Sequence, residues 1–225
     1  MEEILRARAW FYNFFANALY WQPSAERLGA FIEQNPLLAA ADDEAMGEAL
    51  QGVSSALQAM RDYQPEDWSR LQQEYLRLFS PAGPMLVYPW ESVYLSREHI
   101  LYDEHTLSVQ AFMADWSLGA ADSSSGPVDH IGLECSFMAV LNQQALHGLA
   151  AGDAQLVSRS LQAQEQFLTQ HLLRYGEAFC MALQQQAKLA FYRDLAGLLR
   201  GWLSEDQKAA AELRRAAEAS GEGQS

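Results

Sequence analysis

The stretch Gly126-Pro-Val-Asp-His-Ile-Gly-Leu-Glu-Cys-Ser-Phe-Met-Ala-Val-Leu141 decides how the rest of the chain is read. It opens as a loop punctuated by Pro127 and then enters a helix whose expected first turn carries Asp129 and His130, with Glu134 one turn on. Ile131, Cys135 and Met138, with Leu133, Phe137 and Leu141 beside them, recur three or four residues apart, the spacing of a buried helix face. An Asp at a helix start accepts orphan backbone N–H groups and complements the positive end of the dipole, so Asp129 has a purely structural explanation. His130 and Glu134, at i and i+4, share a face with Phe137 and Leu141. A polar pair there is either a binding site or a satisfied interhelical hydrogen bond, and spacing alone favours the second.

Upstream, Gly119–Gly126 has the composition of a flexible linker and is read as a hinge. It divides an N-terminal helical half, 1–118, from a C-terminal helical half, 127–205. Halves joined in this way can be exchanged between copies, so a monomer with a minor domain-swapped dimer is expected. Helical periodicity predicts helices over Ile4–Trp21, Ala25–Gln34, Asp42–Asp62, Pro65–Phe79 and Thr106–Leu118. Downstream of the central helix, Asp153 is a candidate cap, and the runs around Leu156–Leu173, Phe179–Leu183 and Leu189–Trp202 continue the pattern. From Lys208 the chain turns to Ala, Glu, Arg, Gly and Ser, and 206–225 is expected as a frayed or disordered tail. No segment alternates with period two for long enough to form a strand, so the fold class is all-α, a multi-helix bundle.

Ser80–Leu95 breaks the helical pattern with three prolines and a glycine, yet it carries Met85, Leu86, Val87, Tyr88, Trp90, Val93 and Tyr94. A loop this apolar packs on the core or lines a groove. Within it, Trp90-Glu91-Ser92 has the better claim to exposure because two polar groups sit at its bend.

The formal charge is -14, from 29 acidic and 15 basic side chains, and the lysines are Lys188 and Lys208 alone. Nucleic-acid binding rests on clustered Lys and Arg and is excluded as the leading reading. Cys135 and Cys180 lack CxxC spacing and read as small core residues in a reducing compartment. The N-terminus lacks the order of a secretory signal, and no uncharged apolar run reaches membrane length, so a cytoplasmic protein without stable membrane insertion is expected. There is no GxSxG and no glycine-rich phosphate loop. A metal-dependent helical enzyme centred on His130 and Glu134 is the catalytic alternative, though the repeated Glu-x-x-His of a di-metal bundle is missing. A generic acidic helical scaffold is the other.

Several ordered motifs resemble a known family. Tyr75-Leu-Arg-Leu-Phe79, Gly83-Pro84 and Pro89-Trp-Glu-Ser-Val-Tyr94 resemble the YxxLF…GP…P(W)xSVY pattern of TorD/DmsD-type redox-enzyme maturation chaperones. Pro127-Val-Asp-His130 with Glu134 and Phe137-Met138 resembles that family's P-x-D-H…E…FM signature, and Phe167-Leu-Thr-Gln-His-Leu172 and Phe191-Tyr-Arg-Asp-Leu-Ala196 resemble its FLxxHL and FYxxLA elements. The resemblance implies a chaperone without catalytic turnover or cofactor. Its partners would be the twin-arginine signal peptide and the body of a molybdenum oxidoreductase subunit, held until cofactor insertion is complete. Carried over by motif, the peptide-binding positions fall on Leu78, Trp90, Pro127, Asp129 and His130, with Glu91, Ser92 and Glu134 beside them. On this view Asp129, Glu134 and Glu91 offer carboxylates to the guanidinium groups, next to an apolar groove.

Overall fold

The structure, a computed structural model, describes residues 1–34, 47–80, 85–98, 100–116 and 126–222. Apart from Gly126, the expected hinge lies outside them, as do Gly83, Pro84 and the start of the helix expected from Asp42. In chain order the helices are α1 (Glu2–Tyr20), α2 (Ala25–Glu33), α3 (Gly47–Ala59), α4 (Pro65–Phe79), α5 (Glu91–Leu95), α6 (Glu104–Ala114), α7 (Ile131–Ala151), α8 (Ala154–Phe167), α9 (Leu173–Gln186) and α10 (Ala190–Glu222). A 3-10 turn, Met60–Asp62, ends α3, and a π-helical segment, Leu168–Leu172, joins α8 to α9. The described residues contain no strand, only an isolated bridge between Trp90 and His130. The fold is all-α.

Local chemistry sets the helix ends. The Ser24 hydroxyl accepts the Arg27 N–H, the Asp103 carboxylate accepts those of His105 and Thr106, and Asp153 accepts that of Leu156. Gly152, at φ 69°, closes α7 in the left-handed conformation that a side chain would resist.

The central helix α7 is the hub, with α1 packed along it most extensively and α8 on another side. The long α10 lies against α3, α8 and α9. One large core joins Phe11, Phe14 and Phe15 of α1 to Cys135, Met138 and Leu141 of α7, and to Leu195, Leu199 and Trp202 of α10. A satellite cluster joins Leu5, Ala145, Val157, Leu161 and Leu213.

That satellite overturns the expected tail. The chain does not fray at 206; α10 runs on to Glu222. Alanine, glutamate and arginine are strong helix formers, and Asp206, Ala210 and Leu213 repeat at four and three residues along one buried stripe. Asp206 is the anchor. Its carboxylate takes two N–H groups of Arg8, at 2.5 and 3.0 Å, and the Tyr12 hydroxyl at 2.6 Å, while Arg8 also donates to Gln164. All of these side chains are buried, so α1, α8 and α10 meet through one sealed ion pair.

Removing one partner of a buried pair strands the other charge. Arg8→Ala is therefore expected to lower unfolding free energy by about 3–5 kcal/mol. Arg8→Met combined with Asp206→Leu should return much of that loss, since neither charge is then buried alone. Urea denaturation of both variants measures this; equal losses would show that packing volume, not charge, is what the pair supplies.

Candidate functional site

The residues singled out by motif come together where two loops meet. Pro89–Trp90 and Asp129–His130 form the bridge, in which the Ile131 N–H donates to the Pro89 carbonyl at 2.8 Å and the Glu91 N–H to the Asp129 carbonyl at 2.9 Å. Each loop then enters a helix, α5 from Trp90 and α7 from His130. Asp129 and His130 thus precede the first turn of α7 rather than forming it.

Asp129 acts across the gap, not on its own helix. Its carboxylate accepts the Ser92 backbone N–H, at the start of α5, at 2.8 Å and the Thr106 hydroxyl of α6 at 3.0 Å. His130 caps α7 itself, its Nδ1 accepting the Gly132 N–H at 3.0 Å. That bond places the ring proton on Nε2, and burial holds the imidazole down to about 3, so it stays neutral.

The expected exposure of Glu91 and Ser92 is not found, since both are fully buried. The turn into α5 points the Glu91 side chain inward, where one carboxyl oxygen meets His171 Nδ1 at 2.9 Å and the other lies 3.9 Å from His105 Nδ1. His171 sits on the π-helical segment, a local widening of the helix that recurs at functional positions. Glu134, also fully buried, completes the group. Its polar neighbours are the Glu91 carboxyl and the Tyr175 hydroxyl, neither of which meets it in a well-formed hydrogen bond. Desolvation first, then the Glu91 and Asp129 carboxyl groups, push the Glu134 carboxyl well above the usual carboxylate range. The same burial and the Glu134 carboxyl raise the neighbouring Cys135 thiol.

Leu78 and Pro127 are buried as well. Of the motif positions, Trp90 is half-buried and reaches the surface, whereas His130, 8% exposed, is buried beside it. The three carboxyl groups expected to face a ligand are buried instead, Asp129 and Glu91 with partners inside the protein and Glu134 without a well-formed one. Beside the bridge, Leu86 and Tyr88 are 37% and 45% exposed and, with Val93, Tyr94 and Ala182 of α9, line a groove of about 410 Å³. The apolar loop thus divides, Val87 packing on the core while Leu86 and Tyr88 line this groove. Among the described residues no three His, Cys, Asp or Glu side chains converge so as to hold a metal ion. The arrangement places the half-buried Trp90 ring and a groove over a support of buried polar groups.

Sequence reasoning missed the partners that make this support. Thr106, His105 and Tyr175 carried no signal of their own, whereas His171 lay inside a quoted motif without an assigned role. Tyr20 of α1 also belongs here, its ring 4.9 Å from that of His130.

Comparison with known proteins matches residues 39–181 to the nitrate reductase delta subunit family. Chaperone protein TorD of Psychrobacter sp. (strain PRwf-1) is 26% identical over 215 residues, 93% of this chain and 94% of that protein. Chaperone protein TorD of Photobacterium profundum is 26% identical over 152 residues, covering 68% and 67%. The Tat proofreading chaperone DmsD of Salmonella paratyphi A is 27% identical over 137 residues, covering 61% and 60%.

The raised Glu134 carboxyl makes a pH prediction. A group that holds its proton more tightly when folded gives the folded state the larger proton count above about pH 4.3, the ordinary Glu value. Its contribution is complete below that value and is lost as pH rises through the folded one. Glu134→Gln, uncharged and of the same shape, should therefore show a shallower fall in urea midpoint from about pH 5 to 9. Identical slopes would mean that Glu134 is ionised in the folded protein.

Proposed function

Since the chain belongs to the nitrate reductase delta subunit family of TorD/DmsD-type chaperones, we propose that it is a cytoplasmic maturation chaperone for one molybdoenzyme subunit. It binds the subunit's twin-arginine signal peptide, and its body, and delays export until the molybdenum cofactor is in place. The family is one of chaperones, not of enzymes.

The observation that carries this reading is the convergence of two distant motifs, 89–94 and 127–134, on one bridge beside an apolar groove. Within it, Trp90 touches the peptide, backed by the buried ring of His130. Leu78, Glu91, Ser92, Pro127, Asp129 and Glu134 act from beneath, fixing the two loops that carry those rings. The groove at Leu86 and Tyr88 takes the apolar segment that follows the arginines. A metal-dependent enzyme is disfavoured by the donor geometry, in which His130 Nδ1 is already occupied by the Gly132 N–H.

Calorimetric titration with a twin-arginine signal peptide tests the proposal. Saturable binding is expected, and exchanging both arginines for lysines should weaken it, because lysine lacks the planar, weakly hydrated guanidinium. No saturable binding would leave only an acidic helical scaffold. Affinity capture from the native host, followed by identification of the retained oxidoreductase subunit, names the client.

The linker at 119–126 carries a further part of the proposal, a monomer exchanging slowly with a dimer of swapped halves. Because α1 packs along α7, the swap remakes that interface between copies. Shortening the linker by several residues should raise the dimer fraction in chromatography with light scattering; strictly monomeric elution at high concentration would refute the hinge.

A further inference from the structure

If the ligand carries paired arginines, as the proposed function holds, the sealing of Glu91, Asp129 and Glu134 leaves their guanidinium groups to be met by something else. The surface above those carboxyls supplies rings. From the end of α1 to the start of α5 they follow one another edge to face: Trp21 to Tyr20 at 4.9 Å between centroids, Tyr20 to His130 at 4.9 Å, and His130 to Trp90 at 5.8 Å. Trp21 is 44% exposed, and Tyr20 and Trp90 are half-buried, while His130 is buried between them. His130, whose Nδ1 accepts the Gly132 N–H, puts no positive charge into the row.

The row is held in place by backbone and side chain together. A Cβ at position 132 would lie 2.7 Å from Tyr20 Cβ and 2.9 Å from Tyr20 N, so only glycine lets α7 start this close to the end of α1. The Tyr75 hydroxyl contacts the carbonyl oxygens of Leu19 and Tyr20, at 3.2 and 2.9 Å, and fixes that end. Its outer ring already holds a guanidinium, since Arg27 lies 4.2 Å above the centroid of Trp21. Arg27 is exposed, and stacking of this kind is weak enough at a surface to exchange.

We propose that Trp21, Tyr20 and Trp90, joined through the buried His130 ring, read the client's arginines by stacking, and that Arg27 is a resident competitor which a client arginine displaces from Trp21. The fit is one of chemistry and charge. Guanidinium is planar and weakly hydrated, ring faces are electron-rich, and a chain with a net charge of -14 draws a cationic segment in. The resident arginine means that Trp21 adds little net affinity until it is uncovered.

A double-mutant cycle on the full chain, titrated with a twin-arginine peptide, tests this. Arg27→Ala should bind about fivefold tighter, the scale of one exposed cation–π contact. Adding Trp21→Ala should abolish that gain, while Trp21→Ala alone should change affinity less. Relief of simple like-charge repulsion would instead persist without Trp21, and would overturn the proposal. So would unchanged affinity in Arg27→Ala when the unaltered protein binds. Failure of both the unaltered protein and Arg27→Ala to bind the peptide would overturn the functional reading as well. Both side chains are exposed, so retained melting behaviour is expected and is checked by circular dichroism.

Discussion

A carboxylate shut away from water must be met by donors, and Asp129 is met by two other parts of the chain at once. Ser92 offers a backbone N–H and Thr106 a hydroxyl, and the Asp129 carbonyl takes the Glu91 N–H besides. Hydrogen bonds to a charged group contribute about 1.5–3 kcal/mol each, so this one side chain holds the starts of α5, α6 and α7 in register. The position of Trp90 follows from it, and with that position the shape of the surface that a client would meet.

Around that well-satisfied acceptor lies a less satisfied set. Glu91 reaches His171 through the widened turn between α8 and α9, but His171 Nε2 and one Glu91 oxygen lack well-formed partners, and burial first, then the neighbouring carboxyl groups, push the Glu134 carboxyl above its usual range. Buried polar groups that are only partly paired cost stability locally. With Asp129, they tie the start of α5 to α6 and to the π-helical segment.

The helices were legible because their apolar residues repeat at three and four, and the motif residues were legible as a group because they bracket the two bridge-forming loops. What sequence could not show was direction. The same Glu91 that looks exposed at a bend turns inward because α5 begins there, and a bend in sequence carries no sign for which side is inside. Asp129 was rightly a capping residue by type but caps another helix, a contact 37 residues away in the chain that no local window contains. The stripe Asp206–Ala210–Leu213 was readable in principle. Its polar composition hid it, since a buried aspartate reads as solvent-facing until Arg8 is known to lie opposite.

That last pairing also sets an order of events during synthesis. Arg8 and Asp206 are 198 residues apart, so the Arg8 charge on α1 has to wait for α10 to be made before this partner is present. Closing so long a loop costs only slightly more than closing one half its length, since the entropy grows with the logarithm, but the contact cannot form early. The packing of α1 is therefore locked late, by a helix 198 residues further along the chain.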